Sequence, residues 1–301
     1  MTHSSTDRVV RAMTIDGAFR VIATITTDTA NAACAAQGLS VAQGARLAEL
    51  LTCAVLVRET TQPTRRVQLV WRDLDGGVMI ADSLPDGKSR GISNPGKPQA
   101  VAVGGEHLLQ VNYTLPNGAL HQGVVAIPSD SDLSTALMQY MHTSEQTVSM
   151  VSIGAMQGPG GHAGGPPGSG ALIRQVGGYL IQVLPEATRE GLAELSRKLG
   201  DMPAIETLVA DAGTDPRAII ARLLEGFPYA ELADSAVSFG CTCSEARIIL
   251  GILSLGADEV ASMEAGDPLE VRCDACGTRY VIEPASIRAM RELRARDDRP
   301  S

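Results

Sequence analysis

Four of the six cysteines of this 301-residue chain stand in two tight pairs near its C-terminal end. Cys241 and Cys243 flank one residue in FGCTCSEAR, and Cys273 and Cys276 flank two residues in VRCDACGTRY. Four thiolates from two such pairs match the closed tetrahedral site of a structural Zn²⁺, which leaves no coordination position for a substrate. The spacing therefore predicts a four-thiolate metal site. Iron also suits four thiolates, so the spacing alone leaves the choice between zinc and iron open.

The residues around the two pairs predict the small elements that would hold the thiolates. Gly277 allows a tight turn in which backbone amides point at sulfur. Leu269–Arg272 and residues 278–282 predict the arms of a hairpin, and residues 244–255 predict a helix that ends at Gly256. A structural zinc contributes about 10 to 16 kcal/mol, whereas a whole domain is stable by about 5 to 15 kcal/mol. Loss of the metal should therefore unfold this C-terminal region.

The two pairs admit either a permanent or a removable metal. In the first case a zinc ribbon only holds a small domain together. In the second, an oxidant could close each pair on itself and eject the ion, since a disulfide across one residue is strained and easily reduced again. The Cys-x-x-Cys spacing is also common in redox proteins. Nearby arginines, which could keep the thiolates ionised, are Arg247, Arg272 and Arg279.

Charge and motifs narrow the classes of function. The net charge of -9 argues against a nucleic-acid-binding zinc ribbon, because such proteins neutralise phosphates with basic surface. An enzyme is disfavoured too, since the chain lacks a nucleophile elbow and a His-Glu-x-x-His motif. Asp258 and Glu259 are expected to solvate a helix face. The Gly- and Pro-rich stretch of residues 157–170, with His162, lacks the Gly-Lys-Ser/Thr ending of a phosphate-binding loop and predicts a flexible loop.

Composition and the N-terminal region indicate a cytoplasmic protein. Hydrophobic residues make up 44% of the chain and charged residues 20%, as in ordinary globular proteins. Asp16 and Arg20 interrupt any apolar signal segment, and no apolar run reaches membrane-spanning length, so we expect no membrane partner. Thiols stay reduced in the cytoplasm, where paired cysteines indicate metal or redox chemistry more often than structural disulfides.

The N-terminal part of the chain predicts antiparallel strands and helices. Ser40 and Gln43 form a capping box ahead of a buried helix over residues 41–57. Cys34 and Cys53 lie in alanine-rich sequence and are predicted to be small core residues. SDLSTALMQYM predicts a second helix. The segments that predict strands are FRVIATITT, RRVQLVWRD, HLLQVNYTL, GALHQGVVAI and TVSMVSIGAM.

The order of predicted strands, helices and cysteine pairs divides the chain into three regions, namely 1–185, 186–238 and 239–301. In the middle region Pro216 can open a helix whose apolar stripe includes Leu223. The modest apolar content of this region predicts a helical linker that would not be stable alone. The expected fold is thus α+β, with a mainly antiparallel β-sheet core domain, a helical linker and a small C-terminal zinc-binding domain.

Motifs spread over nearly the whole chain resemble one known family, the 33-kDa heat-shock protein family of redox-regulated holdase chaperones. The Cys-x-Cys and Cys-x-x-Cys motifs, with their separation, are the most specific part of the resemblance. The matching segments are FGCTCSEAR, VRCDACGTRYVIEP, SRGISNP, QGVV, TSEQ and GGYLIQVLPEA.

The resemblance implies a chaperone, not an enzyme, that is inactive while reduced and bound to one zinc ion per chain. Oxidation would form disulfides within each pair, Cys241 with Cys243 and Cys273 with Cys276, with release of the zinc. The zinc domain and the adjoining linker would then unfold. The surface exposed in this way would bind unfolding client proteins without ATP, commonly as a homodimer.

Overall fold

The structure, a computed structural model, describes residues 6–94, 105–114, 118–158 and 172–297. The chain divides into two compact units, Met1–Gly240 and Cys241–Ser301. Most of the predicted loop at residues 157–170, including His162, lies outside the described residues. None of the described helices combines the length and the apolar character needed to cross a membrane.

The first unit contains a five-stranded antiparallel sheet, here called sheet A. Its spatial order is β10-β1-β2-β9-β8, so β10, the last strand of this sheet along the chain, forms an edge beside β1. The strands of sheet A are β1 (Arg8–Thr14), β2 (Phe19–Ile25), β8 (Ser149–Gln157), β9 (Ile173–Val183) and β10 (Tyr229–Ala236).

A second sheet of six strands, sheet B, has the order β11-β5-β4-β3-β6-β7. Neighbouring strands are antiparallel, except that the two-residue strand β11 pairs in parallel with β5. The strands of sheet B are β3 (Arg66–Arg72), β4 (Val78–Ser83), β5 (Lys88–Asn94), β6 (Glu106–Thr114), β7 (Leu120–Pro128) and β11 (Ser238–Phe239).

Helices α1 (Thr27–Gln37), α2 (Val41–Thr60) and α3 (Leu133–Thr143) complete the main core. Helix α2 contacts strands of both sheets and is buried along most of its length. Its predicted capping box is present between Ser40 and Gln43. Cys34 and Cys53 are buried, which confirms their predicted place in the core.

The opposite face of sheet A is covered by α4 (Arg189–Gly200), α5 (Ile205–Ala212) and α6 (Arg217–Leu223). Alternate residues of β2 face the two cores, since Ile22 packs in the main core and Val21 packs against these helices. The region predicted as a helical linker therefore contains three helices, followed by strand β10. Val237 follows β10, and Ser238, the last residue of that region, begins β11.

The second unit contains a two-stranded hairpin and three helices. The hairpin consists of β12 (Leu269–Arg272) and β13 (Arg279–Ile282), as predicted, and the helices are α7 (Glu245–Ile252), α8 (Ala257–Ala265) and α9 (Pro284–Asp297). Helix α7 is shorter than the predicted helix over residues 244–255. The buried core of this unit is small and consists of Ile249, Ile252, Val260, Ile282 and Ile287.

Candidate metal centre

The four paired cysteines converge in the second unit. Their sulfur atoms all lie within 4.8 Å of one another. Cys241 Sγ is 3.8 Å from Cys273 Sγ, and Cys243 Sγ is 3.3 Å from Cys276 Sγ. A zinc–sulfur bond of about 2.3 Å gives a sulfur–sulfur edge of about 3.8 Å in a tetrahedron, so the cluster fits Zn²⁺. Among the described residues, it is the one group of His, Cys, Asp or Glu side chains that could hold a metal.

The second pair is held by a tight turn at the end of the hairpin. The amide of Gly277 donates to the carbonyl of Cys273 over 2.8 Å, and the amide of Cys273 donates to that of Thr278 over 2.9 Å. Gly277 has a φ of 72°, which a side chain would disfavour. The turn predicted from this glycine is therefore present, and it brings Cys273 and Cys276 to the same end of the hairpin.

The first pair lies in an extended segment that ends at a helix. Ser244 directly follows Cys243 and caps α7, accepting the amide of Arg247 over 3.3 Å. The cap fixes the point at which the chain turns into the helix. The Nη1 atom of Arg247 donates to the hydroxyl of Thr242, the residue between Cys241 and Cys243. Arg272 and Arg279 pair with each other across the hairpin, next to the turn that contains Cys273 and Cys276.

Two hydroxyl groups that the sequence analysis did not single out contact the sulfurs. Tyr280 Oη lies 3.1 Å from Cys243 Sγ, and Thr278 Oγ1 lies 3.2 Å from Cys276 Sγ. Partners of this kind orient ligands and tune a metal site from outside its coordination sphere. Their signal in the sequence is their place in CGTRY, where they follow Cys276 by two and four residues.

The thiols differ in acidity while no cation is bound. Burial raises the pKa of Cys243 to about 12 and also raises the pKa of Cys273. At Cys276 the effect of burial is outweighed by hydrogen bonds from the hydroxyl and amide of Thr278 and from neighbouring thiols, which lower its pKa to about 6. Cys276 is thus the thiol that ionises most readily. Cys243 and Cys273 must release their protons when they bind a metal.

The geometry and the donor types define what the cluster can do. Four sulfur ligands fill a tetrahedral coordination sphere, so no position remains at which a substrate or water could be activated. The cluster can stabilise the second unit, and its thiols can be oxidised. Neither role is hydrolytic catalysis.

Comparison with known proteins places the chain in a family. The family description "Hsp33 protein" matches residues 7–283. The chain is 30% identical over 297 residues to the 33 kDa chaperonin of Syntrophotalea carbinolica, covering 94% of this chain and 99% of that protein. It is 28% identical to the 33 kDa chaperonin of Geobacter sulfurreducens, covering 95% of each.

The fold agrees with a solved structure over almost the full length of both chains. The 33 kDa chaperonin of Thermotoga maritima superimposes with a TM-score of 0.78 at 20% identity, covering 97% of this chain and 100% of that one. This likeness confirms the α+β fold predicted from the sequence. The family match spans the sheets, the helices that cover sheet A and all four clustered cysteines. The chain therefore belongs to the Hsp33 family, as its cysteine motifs had indicated.

Proposed function

We propose that this protein is a redox-controlled, ATP-independent holdase of the cytoplasm, which binds unfolding proteins after its cysteine cluster is oxidised. The observation that carries the proposal is the convergence of four thiols in a family of non-enzymatic chaperones. In the reduced protein Cys241, Cys243, Cys273 and Cys276 would hold one zinc ion. The bound ion would supply the stability that the small core of the second unit lacks.

Oxidation removes the thiolates that hold the metal. The two thiolates of each pair give two electrons to one molecule of peroxide, which takes up two protons from the solvent, and the products are one disulfide and two molecules of water. We place the disulfides between Cys241 and Cys243 and between Cys273 and Cys276. The support is the short chain separation within each pair and the resemblance to the family. The shortest sulfur distances join different pairs, so the pairing needs a direct test.

Loss of the metal would be transmitted to the neighbouring part of the chain. We propose residues 1–185 as the core domain, residues 186–238 as the linker and residues 239–301 as the switch domain. Helices α4, α5 and α6 cover the apolar face of sheet A. Their release would expose aromatic and aliphatic side chains that can bind unfolding clients. The residues of sheet A exposed in this way are Phe19, Val21, Ala23, Ile25, Tyr179 and Ile181. We propose that the oxidised form is a homodimer and that it binds neither nucleic acid nor membranes.

The test measures metal, thiols and chaperone activity on one sample. Zinc content and free thiols are determined before and after peroxide treatment at raised temperature, and light scattering then follows the aggregation of a heat-labile client enzyme. We expect loss of one zinc ion and four thiols together with suppressed aggregation, all reversed by a thiol reductant and zinc. Metal loss without any suppression would refute the proposal, and peptide mapping would identify the disulfides.

A further inference from the structure

Residues 229–240, here called the strap, connect the edges of both sheets. Strand β10 pairs with β1 along the edge of sheet A. The chain then places the fully buried side chain of Val237 in the main core and pairs β11 with β5 at the edge of sheet B. The residue after the strap is Cys241, the first of the clustered cysteines.

Backbone hydrogen bonds attach the strap to the edges of both sheets. The amide of Val237 donates to the carbonyl of Asp7 over 3.0 Å. The amides of Ser238 and Gly240 donate to the carbonyls of Gly87 and Ser89 over 3.2 and 3.0 Å. By contrast, none of the side chains of β10 is buried, and its first four residues are exposed.

Ion pairs at the surface join acidic side chains of β10 to its neighbours. Arg8 on β1 contacts Asp234 over 2.7 Å, and Arg217 on α6 contacts Glu231 and Asp234 over 2.8 and 2.5 Å. The arginines are both more than 40% exposed. Exposed pairs of this kind contribute little to stability, so they do not make recognition depend on one sequence.

An edge that holds a strand through its backbone can hold other strands in the same way. Main-chain groups are common to all polypeptides, and an added strand satisfies the unpaired amides and carbonyls of an open edge. The β1 edge thus has the property required to bind unfolding proteins of unrelated sequence. Its present occupant, β10, leads through Val237 and β11 into the oxidisable cluster.

We propose that, in the activated protein, extended segments of client proteins pair with the β1 edge in place of β10. The inference rests on the proposed holdase function and specifies one contact that the holdase makes with its clients. Binding of clients through an exposed apolar face would need no free edge of β1. The two modes of binding therefore differ in the hydrogen exchange of the backbone amides of β1.

The alternation along β1 identifies the amides that report on this edge. The amide of Ile15 donates to Pro228, and the carbonyl of Asp7 accepts from Val237, so odd-numbered residues face the strap. The amides of Val9, Arg11 and Met13 lie on the same side. Those of Val10 and Ala12 face β2 and act as internal controls.

The test is residue-resolved amide hydrogen exchange on the full-length protein in three states. The states are the reduced zinc form, the peroxide-activated form, and the activated form saturated with reduced carboxymethylated α-lactalbumin, a soluble unfolded chain. We expect exchange at Val9, Arg11 and Met13 to accelerate by at least about tenfold on activation and to slow again in the complex. Val10 and Ala12 should stay protected throughout.

Other outcomes overturn the inference, and they separate it from the proposed function. If the activated protein suppresses aggregation and binds the probe, but the odd-numbered amides stay fast in the complex, clients bind elsewhere and the holdase function stands. If the amides of Val9, Arg11 and Met13 stay protected from exchange on activation, the strap stays in place. Failure to suppress aggregation at all would refute the holdase function itself.

A glycine in the β4–β5 turn offers a variant that loosens the strap without oxidant. A Cβ on Gly87 would collide with the carbonyl oxygen of Ala236. Gly87→Ala should therefore accelerate exchange at the three odd-numbered amides in the reduced protein. Gly118→Ala is the matched control, because Gly118 has a similar φ of +80° and its added Cβ meets nothing within 4 Å. Equal exchange rates at these amides in the two variants would show that the close contact of Gly87 with Ala236 does not hold the strap in place.

Discussion

Tyr280 gives the cysteine cluster a polar neighbour that is not a ligand. Its hydroxyl lies 3.1 Å from the sulfur of Cys243. A hydrogen bond to a thiolate spreads its charge and fixes the orientation of the sulfur. We therefore expect the hydroxyl to affect the affinity for metal without bonding to the metal.

Tyr280→Phe should lower the affinity for zinc by about tenfold, since the hydrogen bond to Cys243 is lost while the ring remains. Competition with a chromophoric chelator at fixed pH measures the change. Tyr229→Phe is the control, because Tyr229 is exposed in the first unit. An affinity equal to that of the unmodified protein would show that the hydroxyl does not act on the metal-bound thiolate.

The ligand assignment itself is tested by single substitutions. Cys241→Ser or Cys273→Ser should reduce the zinc content of purified reduced protein and loosen the second unit, because a hydroxyl is a poor substitute for a thiolate at zinc. Cys34→Ala, which removes a buried thiol outside the cluster, should keep the full metal content. Unchanged metal content in either ligand variant would refute the four-ligand assignment.

Glu49 gives the first unit a pH-dependent stability. Burial, assisted by the negative charges of Asp132 and Glu206 and opposed by the positive charge of Arg46, raises the pKa of its carboxyl group to about 7. The folded form therefore holds the proton more tightly than the unfolded form. Stability from this group is fully present below a pH of about 4.5 and is lost as the pH rises through about 7.

Between pH 5 and pH 8 the free energy of unfolding should thus fall, by up to about 3 kcal/mol from Glu49. Asp7 adds to the same trend, since burial raises its pKa to about 6. Urea unfolding at several pH values should show a smaller decline in Glu49→Gln. The exposed control Glu194→Gln should keep the full decline, and equal slopes for the two variants would contradict the assignment to Glu49.

Among the secondary-structure elements, those with strong local signals were predictable. Helix α2 has its capping box and apolar stripe, and the hairpin has alternating residues on both sides of Gly277. Strand β10 was not predicted, because YAELADSA has no apolar alternation and its side chains are largely exposed. Pairing with the edge of β1 holds β10 in an extended conformation. Because β1 is distant in the sequence, the local sequence of β10 does not predict this pairing. Tyr280 was missed for the same reason, since its contact with Cys243 is made only in three dimensions.

Substitutions in helix α6 test the proposed coupling between helices α4, α5 and α6 and oxidation of the cysteine cluster. The side chain of Leu223 is fully buried against sheet A. Leu223→Asp removes apolar burial worth roughly 1.5 to 3 kcal/mol, so a lower peroxide concentration should give half-maximal suppression of client aggregation. Ala221→Asp adds the same charge at an exposed position of this helix and should leave the midpoint unchanged. Equal midpoints in both variants would exclude α6 from the coupled element.

At the scale of the whole molecule, the two units differ in what holds them together. The first unit has two sheets, a long buried helix and extensive apolar cores. The second unit has a core cluster of five buried aliphatic side chains among its described residues, together with the cysteine cluster. Metal removal should therefore act on the second unit first.

Chelation under reducing conditions should unfold the second unit while much of the first unit stays folded. Circular dichroism should lose part of the helical signal, and a later thermal transition should remain. Readdition of zinc should restore the lost signal, whereas magnesium, which prefers oxygen ligands, should not. Loss of all structure in a single step, or no change, would contradict the separate dependence on metal.

The placement of the aromatic side chains makes the two units optically distinct. Trp71, the chain's one tryptophan, is 2% exposed in the first unit, and its Nε1 donates to Asp73. Tyr280 is the one tyrosine in the sequence of the second unit, which has no tryptophan. Tryptophan emission therefore reports on the surroundings of Trp71 in the first unit. Ultraviolet difference absorbance of Tyr280 can report on the metal cluster, so the order in which the units respond can be followed without attaching a dye.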